Sequence, residues 1–81
     1  MKIYILIETR DCGKEELSRH YFRKRNDALA KAREMMDEAL PKRRKTRKDD
    51  IGRALKELDA DSKTDDSMLY SEYRIEVETL L

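Results

Sequence analysis

Little in this 81-residue chain is of the kind that builds a chemical centre. Cys12 is its one cysteine, so no internal disulfide can close, and the chain suits a reducing compartment. With one histidine, His20, it falls short of the four Cys and His ligands of a structural zinc site. Two glycines, Gly13 and Gly52, cannot furnish a glycine-rich phosphate loop, which sets aside the usual nucleotide-binding frameworks. The longest apolar run is Ile3–Ile7, against roughly 20 residues for a bilayer span. It is also shorter than the apolar core of about 7–15 residues that a cleavable signal needs, and no small-residue cleavage site follows it. The expectation is a cytoplasmic protein with no cofactor, no metal and no membrane contact.

Charge is what the chain has in quantity. Charged residues make up 46% of it and hydrophobic ones 38%, with 19 Lys and Arg, 18 Asp and Glu and a net charge of +1. The near-balance hides a polarity. Residues 1–48 hold 15 Lys/Arg against 8 Asp/Glu, a balance of +7, whereas residues 49–81 hold 4 against 10, a balance of −6. Such an asymmetry steers a polyanion to one end or serves pairing within the fold. The length corresponds to one small domain over residues 1–81, burying only about 60–65% of its unfolded surface.

The apolar residues are patterned, which argues against disorder. KIYILIE, residues 2–8, alternates Ile3, Ile5 and Ile7 with Tyr4 and Leu6 and reads as a central strand, because both faces need cover. Gly13 and Asp11 mark a turn. ELSRHYF, residues 16–22, follows as the second strand of a hairpin, with Leu17 and Tyr21 on one face and His20 and Phe22 on the other. Asn26 is a candidate N-cap for a helix with a stripe of Leu29, Ala32, Met36, Ala39 and Leu40, ended by Pro41. Asp49 or Asp50 caps a shorter helix, IGRALKEL, with Ile51, Ala54, Leu55 and Leu58 at helical spacing. After the polar residues 59–67, MLYSEYRIEVETLL puts Leu69, Tyr73, Ile75 and Val77 on one face of a last strand, with Tyr70, Arg74 and the glutamates on the other.

The fold expected is therefore α+β, in the order β-β-α-α-β. A three-stranded, mostly antiparallel sheet carries two helices on one face, and the last strand pairs with the first in a direction left open. The inner layer expected is Ile3, Ile5, Ile7, Leu69, Tyr73, Ile75 and Val77.

Two basic clusters are the candidate functional residues. The connector 41–48 holds Lys42, Arg43, Arg44, Lys45, Arg47 and Lys48. Long cationic side chains at this density suit phosphates and gain from counterion release. The competing reading is a solvated linker whose charges offset the first helix's negative end and pair with Asp37, Glu38, Asp49 and Asp50. RHYFRKR, residues 19–25, interleaves Arg19, Arg23, Lys24 and Arg25 with Tyr21 and Phe22. That is either a stacking platform for single strands or a charged edge that resists stray pairing. A Cys12–His20 nucleophilic pair has no helix N-terminus to activate the thiol and no oxyanion hole, so no enzyme activity is expected. DADSKTDD, with Asp59, Asp61, Asp65 and Asp66, lacks the glycine and glutamate of an EF-hand loop and reads as a solvated acidic loop.

KIYILIE, a turn, HYFRKRNDALAKA and a closing EYRIEVETLL together resemble the style of small α+β proteins of phages and mobile elements. The resemblance covers about two-thirds of the chain and carries no catalytic residues. It implies a short binding protein, in some cases an inhibitor of host defence of the anti-CRISPR kind. Three readings follow: a binder of nucleic acid or of a nucleoprotein, a protein–protein interaction module or inhibitor without affinity for free nucleic acid, and a homodimer formed through Tyr70 and the sheet edges.

Overall fold

A computed structural model describes residues 1–64 and 71–81. Strand β1, Lys2–Arg10, is central in a three-stranded sheet of order β2-β1-β3, between β2, Glu15–Phe22, and β3, Glu72–Thr79. Both pairings are antiparallel, which settles the direction of the last strand. Two 15-residue helices, α1 at Arg25–Ala39 and α2 at Arg47–Asp61, lie between β2 and β3 in sequence. The expected α+β order and topology hold. Leu69, Tyr70, Asp65 and Asp66 lie outside the described residues.

The inner layer differs from expectation by one residue of phase. Leu6 pairs with Ile75 on one side and His20 on the other, and Tyr4 pairs with Val77 and Phe22. Cross-strand partners point to the same face. Tyr4, Leu6, Phe22, Tyr73 and Ile75 therefore form the helix-covered layer, packed with Ala28, Ala32 and Met36. Ile3, Ile5 and Ile7 face away, correcting their assignment to the core beside Tyr73 and Ile75. Ile5 and Ile7 are nonetheless buried on that open face. Their partners there are long side chains, Tyr21 and Glu76 around Ile5 and Arg19 and Arg74 around Ile7. Aliphatic stems and rings of this kind shield a strand while their polar ends stay in water. Val77 is on the covered face but 53% exposed, beyond the reach of the helices.

The helices reach the sheet on small residues. Ala28, Ala32, Met36 and Leu40 recur every fourth position and are buried, whereas Ala39, expected in the stripe, is exposed. The α1 boundary also shifts: Lys24, not Asn26, is the N-cap residue, and no side chain caps it. In α2, Ile51, Ala54 and Leu58 face the core as expected, with Leu55 half-buried. This helix begins earlier and runs longer than its apolar pattern implies. Thr46 is its N-cap residue, so Arg47 and Lys48 belong to the first turn of α2 and not to the connector.

The hairpin between β1 and β2 turns through three successive positive-φ residues, Asp11, Cys12 and Gly13. Only Gly13 adopts such a backbone at no steric cost. The Glu72 carboxylate holds this turn by accepting from the Cys12 amide (3.0 Å) and the Thr9 hydroxyl (3.3 Å). Leu17 is an extra residue in β2, because Glu8 pairs with Ser18 and Thr9 with Glu16. A bulge beside Glu15, Glu16 and Arg19 is a device that resists edge-to-edge pairing with another sheet. Beyond α2, Ser62–Thr64 lies along part of β3: the Ile75 amide donates to Ser62 (2.8 Å) and the Thr64 amide to Tyr73 (2.8 Å).

Gly52 sits inside α2 with an ordinary backbone, and a Cβ placed there would meet nothing within 4 Å. Glycine costs a helix interior about 1 kcal/mol relative to alanine. Gly52→Ala is therefore expected to raise unfolding stability by roughly 0.5–1 kcal/mol, read from urea midpoints at constant m-value.

Candidate functional site

A cation at the start of a helix opposes that helix's own dipole. Both helices begin with an arginine, and each serves the other helix. Arg25, first in α1, donates to the Asp59 main-chain carbonyl (2.7 Å) and to the Asp59 carboxylate at the end of α2. Arg47, first in α2, donates to the Asp37 main-chain carbonyl (2.6 Å) and to the Asp37 carboxylate in the last turn of α1. Because the helices are antiparallel, each guanidinium meets the negative end of its neighbour. Arg44, in the connector, makes a contact of another kind, 2.8 Å from the carboxylate of Asp50 in the first turn of α2, which also accepts from the Thr46 hydroxyl (2.9 Å). The Asp50 side chain is only 4% exposed.

These contacts sort the basic run. Arg44 and Arg47 are anchored. Lys42, Arg43, Lys45 and Lys48 are exposed and have no ion-pair partner among the described residues. The segment is ordered by its backbone: the Arg44 amide donates to Pro41 (3.1 Å) and the Arg47 amide to Arg44 (3.2 Å). It forms a compact basic turn at one end of the helical hairpin.

The other candidates lie elsewhere. Arg23, Lys24 and Arg25 enter α1 at the opposite end of the hairpin, one helix length away, about 22 Å at 1.5 Å per residue. Arg23 and Lys24 are exposed there. Arg19 stands on the open face of the sheet, bonded to Glu16 at 2.7 Å. That bond lowers the Glu16 pKa and raises that of Arg19, to which Tyr21 also contributes. The two basic segments do not converge. Nor do the aromatics of RHYFRKR form one platform: Phe22 packs on the core while Tyr21, 61% exposed, is on the other face.

Cys12 and His20 are also apart. Cys12 is in the hairpin turn, whereas His20 lies mid-strand opposite Leu6. His20 borders a shallow hollow with Glu8, Ser18 and Lys31. Glu8 accepts there from the Ser18 hydroxyl (3.2 Å) and the Tyr73 hydroxyl (3.2 Å). Burial raises the Tyr73 pKa, and the neighbouring Glu8 carboxylate adds to the rise. No helix among the described residues is long and apolar enough to cross a membrane.

The sequence reading missed a furrow on the outer side of the helical pair. Two adjoining open hollows, of about 540 and 440 Å³, share Ala30 and Arg33 on their α1 side. Lys48 borders the first, and Gly52, Leu55 and Lys56 border the second. Its signal in the sequence is the spacing Lys48, Gly52, Lys56, four residues apart on one helical face.

Two outcomes test these assignments. Arg44→Met leaves Asp50 buried without its cation and is expected to cost roughly 1–3 kcal/mol, less than a fully buried pair because Arg44 is partly exposed. Lys42→Met should stay within about 0.5 kcal/mol of the parent in the same denaturation series. For Tyr73, an acid whose folded pKa is raised, stability is fully present below the unfolded value of about 10 and falls as pH rises above it. Tyr73→Phe should lose that alkaline slope in melts taken between pH 8 and 11. Comparisons with protein-family models, with curated proteins and with solved structures gave no match.

Proposed function

We propose that this protein is a non-enzymatic binding protein that engages nucleic acid, alone or within a nucleoprotein, through its basic turn. One observation carries the reading. Within the run 42–48, Arg44 and Arg47 take up the nearby carboxylates of Asp50 and Asp37. Lys42, Arg43, Lys45 and Lys48 are left exposed without an ion-pair partner among the described residues. A solvated linker has no need for cations in excess of its local carboxylates, whereas a phosphate backbone rewards them through counterion release. Arg23 and Lys24, at the far end of the hairpin, are a separate pair of exposed cations and contribute secondarily. The resemblance to small proteins of mobile elements fits such a role, as does a cytoplasmic setting.

The turn presents cations without an interleaved aromatic, so it positions a backbone and does not read bases. Four phosphate contacts correspond to a log–log salt slope of about −3.5 and a loss of roughly 100-fold in affinity between 50 and 200 mM salt.

Fluorescence anisotropy with labelled DNA and RNA, single- and double-stranded, is the test. The expected result is binding at 50 mM salt that weakens with this slope. The variant Lys42→Ala, Arg43→Ala, Lys45→Ala, Lys48→Ala should lose at least tenfold while its helical content and melting temperature stay those of the parent. Arg44 and Arg47 are kept, because their loss confounds binding with folding. Unchanged affinity in that variant, or no binding by the folded parent at 50 mM salt, overturns the proposal and leaves a protein partner as the occupant of the turn.

A further inference from the structure

We propose that the furrow between α1 and α2 extends this interface and seats one sugar–phosphate strand of double-stranded DNA. Arg33 would meet its phosphates from the α1 side and Lys48 and Lys56 from the α2 side. The inference rests on the nucleic-acid reading of the basic turn, with which the furrow is continuous through Lys48.

The electrostatics of the furrow are one-sided in effect. Its three carboxylates are committed within the fold: Glu34 to Lys31, Asp37 to Arg47 and Asp59 to Arg25. Arg33, Lys48 and Lys56 are exposed and have no ion-pair partner among the described residues. Lys48 and Lys56 are two turns apart on α2, about 12 Å along its axis. That length is several times the roughly 3.4 Å axial rise per nucleotide of a duplex strand, so the two lysines can meet different phosphates of one strand.

The floor is shaped for close approach. Gly52 weakens α2, and no described residue fills the space its side chain would take. Its backbone is not in the left-handed region, so no turn requires it. A reason for glycine here lies outside the chain, in a partner that descends between the helices against Gly52 and Ala30. Leu29 and Leu55, half-buried along the same hollow, offer apolar contact to sugar carbons.

The same lining selects the form of nucleic acid. It contains no aromatic side chain, and single strands are held by stacking on aromatics. Along the floor, Gly52, Ala30, Leu29 and Leu55 offer no side-chain partner for a ribose 2′-hydroxyl, the group by which proteins select RNA, and the rim carboxylates Glu34, Asp37 and Asp59 are held in ion pairs. A duplex with deoxyribose, read through its backbone alone, fits best.

The test uses the whole chain and a 20-base-pair DNA duplex, with the matching RNA duplex and single-stranded DNA as comparison arms. Arg33→Gln with Lys56→Gln should weaken DNA duplex binding roughly tenfold at 0.1 M salt and make the salt slope shallower by about 2. Gly52→Gln, which the helix accommodates, should weaken binding with an unchanged slope, because it obstructs the furrow without removing a charge. Circular dichroism and melting checks that both variants fold. If both bind like the parent while the basic-turn variant fails, the furrow is not part of the interface and the proposed function survives. Tighter binding of RNA duplex or single strand overturns the occupant. If the parent binds none of the three, both proposals fall.

Discussion

The pairing of Leu6 with Ile75 and His20 is the constraint on which the remaining structure rests. Taken alone, β1 has no preferred inner face: isoleucines line one side, and Tyr4 and Leu6 the other. The flanking strands each present one apolar face. On β3, Tyr73, Ile75 and Val77 alternate with Arg74, Glu76 and Glu78; on β2, His20 and Phe22 alternate with Arg19 and Tyr21. In the observed phase Tyr4 and Leu6 share the helix-covered face with Phe22, Tyr73 and Ile75, and the isoleucines take the other. A slip of one residue would turn every side chain of β1 over, placing isoleucines under the helices but leaving Leu6 among arginines and glutamates.

From that layer the position of the basic turn follows. Ala28 and Ala32 are fully buried and bring the α1 backbone close to the sheet. A connection as short as residues 40–46 then returns α2 antiparallel beside α1. Antiparallel neighbours set unlike dipole ends side by side, which turns an arginine at a helix start from a liability for its own helix into a ligand for the adjacent one. Arg25 and Arg47 occupy those places. Their carboxylate partners Asp59 and Asp37 are more than half exposed, so the ion pairs themselves add little. Their consequence lies at the surface: Asp37, Asp50 and Asp59 are engaged within the fold, and Glu38 and Asp49 are the exposed carboxylates left beside the turn.

Element order, topology and the helix-covered sheet were legible in the sequence because alternation and helical periodicity are local. The phase of β1 was not, since Ile3, Ile5 and Ile7 outrank Tyr4 and Leu6 in apolar character, and the pairing that fixes it joins β1 to Tyr73 and Ile75, some seventy residues away. Asn26 has the better capping side chain, yet the helix begins at Arg25, whose partner Asp59 is 34 residues downstream. The basic segments were legible as clusters only. Which cations are anchored depends on Asp37, Asp50 and Asp59, and nothing local distinguishes Arg43 from Arg44. The furrow was hidden for the same reason, as its two walls come from different helices.

The position of each charge relative to the turn decides what a polyanion meets. Glu76 and Glu78 pair with Ile5 and Ile3 on the open face of the sheet, whereas the basic turn and the furrow belong to the helical layer on the other side. The molecule measures 46 × 25 × 19 Å. At 0.01 M salt the screening length, about 30 Å, exceeds the two shorter dimensions, and a distant polyanion sees little more than the net charge of +1. At physiological salt the length contracts to about 8 Å. The glutamates of the open sheet face then no longer offset the turn, and a duplex in contact with it meets Lys42, Arg43, Lys45 and Lys48 with Glu38 and Asp49 as the exposed carboxylates beside them. Association at long range is accordingly weakly steered for so basic a segment, and attraction is concentrated in contact.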